Sequence, residues 1–486
     1  MLNEPDTLDG HRAYEKKTHA IRVGGKNWQV LPDEVLDFCW NGGLDTPCSL
    51  CFEEFDIAVT PPVRTARLYR APCIDSELER QLPSLEVLNT HLECIRKKGV
   101  KFFPISHAWH TPVADAYASR VANLGAASII IDQPLDILLS LSATKRFDRD
   151  IQIWHDYISI PQWQDRFRGT SILPQIFRIF QLGKTALLQM DQELNLHALE
   201  AGNPKELTKL LSARWFTRLW PVVELNMCED ALIMNRGNKV STCPLRSLVR
   251  SVAMLSSTIG MTIPSWVQSS ISTTCLGHVY DIIATQGSRW YRDRFIAACA
   301  ILEPSRYPSL LPQLPADAAE ACLWLSKRSL ERGDFSPLLL RPPTGETMHR
   351  KSGGMTVAWL KGHMRMEAKM WDLGPQIYPS TVVPRILGDT VAMDLHLVGS
   401  IVKSRNEHRD IYDISCHTCD ETTTCPIDFW KEPGESAQLY HIPGLAYRDS
   451  GPDCIGLVIE EERAIGRSRF TDPSCHCKTL VLIRLA

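Results

Sequence analysis

Strand-like and helix-like segments alternate between about residues 99 and 245, and this pattern constrains the fold more than any other feature of the chain. Ile151–Ile160 is rich in β-branched and aromatic residues, as strands are, whereas Ser171–Leu182 places its apolar residues on one helical face. The predicted strands are Lys101–Ser106, Ile151–Ile160, Thr185–Met190 and Ala231–Asn235, and the predicted helices are Val113–Leu124, Ser171–Leu182 and Arg214–Cys228. This alternation predicts an α/β fold with a parallel sheet covered by helices on both faces.

The carboxyl ends of the predicted strands are the expected position of a site, because parallel sheets of this class bind ligands beyond those ends. Ser106–His110 and Asp156–Gln162 fall at two of them. The remainder of the chain has a different pattern. We predict four regions, which are a mixed region over 1–95, the α/β domain over 96–245, a mainly helical region over 246–345 and a strand-rich region over 346–486. In the first region, a helix is predicted over Ser84–Lys98.

Charge and hydropathy exclude several classes of protein. The 53 Lys and Arg residues nearly balance 56 Asp and Glu residues, which gives no general electrostatic attraction to nucleic acid or to an anionic membrane. The most apolar stretch, Ala126–Leu141, is interrupted by Asp132 and Pro134 and predicts no membrane span. The first residues contain no apolar signal core. We therefore expect a cytoplasmic protein that binds no nucleic acid.

The sixteen cysteines are expected to be reduced thiols in that compartment. Two C-x-x-C pairs have the spacing of zinc ligands: Cys48 with Cys51, and Cys416 with Cys419. In the last region, four thiols could close a tetrahedral site: Cys416, Cys419, Cys425 and either Cys475 or Cys477. Neither pair is followed by a second pair at finger-like spacing, so unpaired thiols are favoured and no metal is predicted.

Gly183-Lys184-Thr185 has the form of the last residues of a phosphate-binding loop, but Arg178 stands where that loop requires its first glycine. The sequence also contains no G-x-G-x-x-G, G-x-S-x-G or H-E-x-x-H motif. The common signatures of nucleotide-binding loops, serine hydrolases and zinc proteases are therefore absent, and no cofactor is predicted.

Three blocks in order resemble the fungal heterokaryon-incompatibility (HET) domain. They are Phe103–Trp109 (FPISHAW), Ile153–Gln162 (IWHDYISIPQ) and Trp215–Leu225 (WFTRLWPVVEL). A looser likeness continues at Asp293–Cys299 (DRFIAAC). HET domains resemble Toll/interleukin-receptor (TIR) domains, and this resemblance implies a flavodoxin-like parallel sheet.

The third block is similar to the W-C-x-x-E motif of TIR enzymes that cleave NAD, here Trp220-Pro-Val-Val-Glu224. The resemblance implies that Glu224 is catalytic and that NAD is a substrate rather than a cofactor. Cleavage of the nicotinamide–ribose bond develops positive charge on the ribose, which a nearby carboxylate stabilises. Trp220 and Glu224 share a helix face at i and i+4. Pro221 is expected at the first helical position, where the helix dipole would help to keep Glu224 ionised.

The predicted ligand-binding residues lie in the same blocks: Ser106, His107, Trp109, Asp156, Arg218 and Trp220. Arg218 could contact a pyrophosphate through its guanidinium group, and Asp156 could bind a ribose hydroxyl. Several of these positions also have a structural interpretation. Asp156 could instead cap a helix or pair with Arg166 or Arg168, and Glu224 could be a plain surface acid.

The large apolar residues of these blocks are expected mainly in the core: Trp215, Phe216, Leu219 and Val223, with Trp109 and Trp154 as further candidates. The chain also departs from the HET pattern. The departures are His107 for Tyr, His110 for Gly, Ser159 for Cys, Pro161 for Asn and Val223 for Gln. They lie in loops that would border a ligand.

The resemblance implies a protein of self/non-self recognition or programmed cell death, whose TIR-like module is a candidate NAD glycohydrolase. Catalysis would require self-association, and further protein partners are expected. The alternative is a non-catalytic module that oligomerises and recruits partners in signalling. The departures at His110 and Pro161 motivate this alternative.

Overall fold

A computed structural model describes the chain in segments. They are 19–23, 26–30, 46–56, 62–69, 84–119, 124–144, 146–147, 150–160, 173–250, 267, 275–284, 286–288, 292–339, 382–387, 390–402, 411–419, 421–429, 433–446, 453–471 and 479–485. By their contacts, the residues form two compact units. The first unit is Met1–Phe216 with Met227–Ile263, and the second is Thr217–Asn226 with Pro264–Ala486.

Nine of the described strands form one mixed sheet in the first unit, in the order β2-β1-β4-β3-β6-β5-β7-β8-β9. These strands are β1 His19–Val23, β2 Lys26–Val30, β3 Val63–Tyr69, β4 Ser84–Thr90, β5 Phe102–His107, β6 Gln152–Trp154, β7 Thr185–Gln189, β8 Asp230–Met234 and β9 Val240–Pro244. The centre, β6-β5-β7-β8, is parallel throughout, with Ile105 opposite Leu187. The flanks include antiparallel pairs, so the sheet as a whole is mixed.

Helices connect the central strands of the first unit. They are α1 Leu92–Lys98, α2 Thr111–Ser119, α3 Leu124–Ala143, α4 Asp156–Ser159, α5 Leu173–Gly183, α6 Leu196–Glu200 and α7 Pro204–Leu211. The apolar residues of α5 that were expected to share a face, including Ile176 and Phe180, are buried. The core of this unit joins strand residues such as Ile153 and Leu187 to the buried side of α3.

By length and composition, the Gly125–Ala143 part of α3 is the only described helix that could cross a membrane. The helix contributes Ile130, Ile137 and Leu141 to the core of the first unit. Buried core helices meet the same criteria, so the described residues contain no clear membrane span.

Two local predictions are wrong. Ser84–Lys98 is not one helix, since Ser84–Thr90 is strand β4, which pairs with β1 on one side and β3 on the other, and only Leu92–Lys98 is helical. The strand predicted over Ile151–Ile160 ends at Trp154. It ends there because His155 caps the single turn α4, where its side chain accepts a hydrogen bond from the backbone N–H of Tyr157.

In the second unit, helices are followed by an antiparallel barrel. The helices are α8 Leu219–Met227, whose last residue belongs to the first unit, α9 Leu276–Ala284, α10 Arg292–Leu302, α11 Tyr307–Leu310, α12 Ala318–Leu330 and α13 Ser336–Leu339. The strands are β10 Arg385–Leu387, β11 Thr390–Val402, β12 Ile411–Ser415, β13 Thr422–Phe429, β14 Gln438–Ala446, β15 Asp453–Glu460, β16 Arg463–Thr471 and β17 Thr479–Leu485.

Six of these strands close into a ring in the order β11-β12-β13-β16-β15-β14, because β14 pairs back onto the long strand β11. The barrel interior holds apolar side chains such as Ile427, Leu439 and Val458. The α/β class and the strand-rich last region are confirmed. The boundaries of the four predicted regions stay a prediction.

Candidate functional site

Four of the predicted site residues lie together at the carboxyl ends of β5 and β6. Ser106 and His107 are the last two residues of β5, and Trp109 follows in the loop to α2. Asp156 lies two residues beyond the end of β6, as the first residue of α4. Because β5 and β6 are parallel neighbours, their ends bring these side chains to one edge of the sheet.

Asp156 is the centre of these four residues, which we call the Asp156 group: Ser106, His107, Trp109 and Asp156. The His107 Nε2–H group donates to Asp156 Oδ1 at 2.6 Å, and the Trp109 indole N–H donates to Oδ2 at 2.6 Å. Both carboxylate oxygens thus accept a hydrogen bond from the residues that follow Ser106. Asp156 therefore ties the β5 loop to the start of α4. The alternative ion pair of Asp156 with Arg166 or Arg168 lies outside the described residues.

The carboxyl group of Asp156 is held in its ionised form. Burial would raise its pKa, but the charge and hydrogen bond of His107, with His155 beside it, hold the pKa of Asp156 well below its usual range. His107 is itself almost fully buried, with a side chain 3% exposed. The two residues therefore form a buried charge-assisted pair rather than a surface contact.

Tyr157 links this pair to His110. The His110 backbone N–H donates to the Tyr157 hydroxyl at 2.9 Å, and that hydroxyl lies 2.9 Å from His110 Nδ1. Burial and the neighbouring His107 lower the pKa of His110 to about 4, so the ring is neutral at pH 7. The Tyr157 hydroxyl and His110 Nδ1 therefore share one hydrogen bond, whose direction is set by the tautomer of the neutral ring.

His155 supports the group from inside the core. Its side chain is fully buried, and burial, followed by the charge of His107, lowers its pKa to about 4. The rings of His107 and His155 lie 4.5 Å apart, with the Tyr157 ring 4.6 Å from His107. His155 and His110 therefore pack as neutral rings around the His107–Asp156 pair.

His107, His155 and Asp156 also satisfy the spacing of a metal site, since their ligand atoms lie within 4.8 Å of one another. The contacts favour hydrogen bonding instead. His107 and Asp156 are in direct contact at 2.6 Å, and His155 Nδ1 accepts the Tyr157 backbone N–H at 3.3 Å. The atoms of this set that lie closest together are thus already engaged in hydrogen bonds within the chain.

Ser106 joins this edge to the third HET-like block. The Trp215 indole N–H donates to Ser106 Oγ at 2.8 Å, and Trp215 is fully buried in the 3-10 turn Arg214–Thr217. Asp191, which follows β7, and Arg214 both act electrostatically on His110. The ends of β5, β6 and β7 are therefore close to one another, with His110, Asp191 and Arg214 as their more exposed side chains.

Arg218, Trp220 and Glu224 belong to the second unit, whereas Ser106, His107, Trp109 and Asp156 belong to the first. The Trp220 indole N–H donates to Asp293 Oδ2 at 3.2 Å. Backbone hydrogen bonds from Gly287 to Thr217 and from Leu219 to Gly287 fix the start of α8. The third block and the looser fourth element of the HET-like pattern are therefore in direct contact.

Glu224 lies in the second turn of α8, because this helix begins at Leu219. Pro221 is thus the third helical residue and not the first, and the expected stabilisation by the helix dipole is weak, since that effect fades beyond the first turn. Trp220 and Glu224 are half-buried on one face, whereas Leu219, Val222 and Val223 are fully buried. The half-buried carboxyl group is not a plain surface acid.

The expected core positions are confirmed for the large apolar residues. Trp154, Trp215, Phe216, Leu219 and Val223 are all at most 5% exposed. Trp109 is half-buried and combines core packing with its hydrogen bond to Asp156. The five buried side chains therefore have a packing role. Trp109 alone among these six is exposed enough to contact a ligand as well.

The possible zinc site of the last region is only partly within the described residues, since Cys475 and Cys477 lie outside them. Cys425 packs in the barrel core and Cys419 is exposed. Sequence reasoning missed two other groups. Tyr157 and His155 stand inside the second block, where their types gave no signal, and His91-x-x-Cys94 was not connected with the Cys48–Cys51 pair.

Comparison with models of protein families, with curated proteins and with solved structures finds no match to this chain. A functional assignment therefore depends on the chemistry and placement of the residues described above.

Proposed function

We propose that this chain is a cytoplasmic protein of HET type that acts in self/non-self recognition or programmed cell death by cleaving the nicotinamide–ribose bond of NAD. The observation that carries the proposal is the parallel strand order β6-β5-β7-β8. In chain order this is 2-1-3-4, the order of flavodoxin-like sheets, whose ligands bind between the first and third strands. The β5 and β7 ends of the chain carry His110 and Asp191, with the Asp156 group beside them.

In this proposal, the His107–Asp156–Trp109 hydrogen bonds hold the β5 loop in a fixed shape, so that binding does not have to order it. His110, neutral and half-buried, offers a polar ring nitrogen at the β5 end. From the resemblance to TIR enzymes, Glu224 of the second unit supplies the carboxylate that stabilises positive charge on the ribose as the bond to nicotinamide breaks. Arg218 contacts the pyrophosphate. Self-association of the chain completes the active form.

The test is NAD consumption by the full chain at several protein concentrations, with Glu224→Gln beside the wild type. We expect turnover that rises steeply with concentration and is lost in Glu224→Gln. Glu229→Gln is the matched control, because Glu229 lies just beyond the end of α8 and its side chain is 70% exposed. Its Oε1 atom lies 3.7 Å from Lys184 Nζ, which is a weak surface ion pair. Full turnover in Glu224→Gln would refute its catalytic role.

The second candidate is a non-catalytic assembly module. It is favoured by the contacts of Asp156, since both of its oxygens accept hydrogen bonds from the same chain, which gives the residue a structural role without a ligand. Light scattering would detect self-association without turnover. Absence of NAD consumption by forced oligomers, together with concentration-dependent assembly, would favour this candidate over the enzyme.

A further inference from the structure

Three thiols and an imidazole meet at the end of β4. Cys48 and Cys51 come from the loop 46–56, and His91 and Cys94 come from the start of α1. Their ligand atoms all lie within 4.8 Å of one another, and Cys51 Sγ is 3.3 Å from His91 Nδ1. Around a tetrahedral zinc ion, with bonds of about 2.0–2.3 Å, ligand atoms stand roughly 3.3–3.8 Å apart.

The start of α1 presents its two ligands together. His91 is the N-cap and Cys94 is the third helical residue, the two positions whose side chains meet in a capping box. His91 makes no side-chain capping hydrogen bond, so its imidazole is directed towards the thiols instead. The Phe55 ring lies 4.2 Å from the His91 ring and fixes its orientation.

The Cys48–Cys51 loop is shaped around the Cys48 sulfur. The backbone N–H of His91 donates to Cys48 Sγ at 3.4 Å, and the N–H groups of Leu50 and Cys51 point to the same atom. Backbone donors of this kind stabilise a thiolate and orient metal ligands. Phe52, directly after Cys51, has a φ of +66° and is 79% exposed. Because Phe52 gains little from burial, its strained backbone is attributed to the tight turn of the loop.

We propose that Cys48, Cys51, His91 and Cys94 bind one zinc ion in a closed Cys₃His site. Three soft thiolates and an imidazole in a compact tetrahedral set select Zn²⁺ over the hard cations that prefer oxygen. Four protein ligands leave no open position, so the ion is structural and not catalytic. The site is separate from the proposed NAD reaction, and its test needs no enzymatic activity.

The ion would fasten the loop 46–56 to the sheet edge that carries the candidate site. β4 and β6 both run antiparallel to β3, so their carboxyl ends lie at the same edge. Side-chain hydrogen bonds continue from this loop to α4: Asn89 donates to Thr46, Arg64 donates to Asn89, and Ser159 donates to the Arg64 carbonyl. Zinc would thus support the end of the α4 turn, three residues after Asp156.

The first experiment is elemental analysis of the purified full chain. We expect one zinc per chain in the wild type, its loss in Cys51→Ser, and its retention in Cys419→Ser. Cys419 is the matched control because it belongs to the second C-x-x-C pair and is exposed. Zinc that survives Cys51→Ser, or a chain that binds no zinc, would overturn the proposal, as would a Cys48–Cys51 disulfide found by mass spectrometry.

Since Cys51→Ser could also lose zinc by failing to fold, a variant that keeps four ligands provides a second test. Cobalt in the wild-type site should give the visible bands of a tetrahedral ion with thiolate charge transfer. His91→Cys should retain the metal and increase the thiolate charge-transfer intensity by about a third, as three thiolates become four. An unchanged spectrum in His91→Cys would exclude His91 as a ligand and overturn the proposed set.

Discussion

At Asp156, two donors from the same chain occupy both carboxylate oxygens, and this arrangement determines what the residue can do. His107 and Trp109 each donate at 2.6 Å, and the Asp156 side chain is only 16% exposed. A charge buried with such partners is costly to disrupt, because the remaining partner is left unpaired in a medium of low dielectric constant. Asp156 therefore has a large structural role whether or not a ligand also contacts it.

Asp156→Asn is expected to lower the free energy of unfolding at pH 7 by about 3–5 kcal/mol, the cost of breaking a buried pair. The depressed pKa of Asp156 stabilises the folded state above the ordinary aspartate pKa, and this contribution is lost as the pH falls below about 4. The difference between variant and wild type should shrink there. Urea-denaturation midpoints at several pH values measure it, with the exposed Asp115→Asn as a control that should change little.

His155 and His110 also make stability fall as the pH is lowered, because their buried rings are neutral in the folded state. Both have a pKa lowered to about 4 by burial, so between pH 6.5 and 4 the unfolded chain binds protons that the folded chain does not. Stability should fall as the pH is lowered through this window. His155→Asn keeps an acceptor for the Tyr157 N–H and should reduce the slope by up to about 1.4 kcal/mol per pH unit.

The midpoint measured at pH 8 serves as the reference for His155→Asn, since the wild-type ring is neutral there and any difference reports packing alone. A slope between pH 6.5 and 4 that is unchanged in the variant would contradict the assignment of a titrating His155.

At the scale of elements, packing at the end of α5 explains why residue 183 is a glycine, although its sequence neighbours resemble the end of a phosphate-binding loop. Gly183 packs against Pro104 of β5, and a Cβ atom there would stand 2.8 Å from Pro104 Cγ. Lys184 follows with a φ of +60°, and its N–H bonds to the Phe180 carbonyl at 3.2 Å. This is a left-handed helix end in which the position that favours glycine is occupied by lysine.

Adjacent substitutions at this helix end should therefore have opposite effects. Gly183→Ala should destabilise the first unit by about 1–3 kcal/mol through overpacking against Pro104. Lys184→Gly should stabilise it by up to about 1 kcal/mol, because it relieves the left-handed strain. It loses only an exposed ion pair with Glu229, which is worth little. Thermal unfolding of both variants measures the effects, and a stabilising Gly183→Ala would contradict the close packing.

Elements with a local signal were predicted well and those that depend on distant partners were not. β5, β7, β8 and α5 were predicted to within a few residues, because their apolar patterns are complete within each segment. β4 was mistaken for helix, since its strand form depends on pairing with β1 and β3. Likewise, the order of the central strands and the meeting of Cys48 with His91 arise only on folding, so residue types were predictable but their partners were not.

At the scale of the whole molecule, the chain leaves the first unit at Thr217, returns at Met227 and leaves again at Pro264. The body of α8 therefore belongs to the second unit, although it lies between β7 and β8 in sequence. Its contacts include the Trp220–Asp293 hydrogen bond and the Gly287 backbone bonds. The predicted boundary at residue 245 would separate α8 from these partners.

A chain truncated after residue 245 should therefore be poorly soluble and bind hydrophobic dyes. Leu219, Val222 and Val223 are fully buried in the intact protein, and the exposure of each would cost roughly 1.5–3 kcal/mol. Dye fluorescence and soluble yield, compared with the full chain, measure the effect. Replacing Leu219, Val222 and Val223 by Gln in the truncated chain should restore solubility if this helix is the cause. A truncated chain that is soluble and binds no dye would instead show that residues 1–245 bury the apolar side chains of α8 without the rest of the chain. The predicted boundary at residue 245 would then be a true domain boundary.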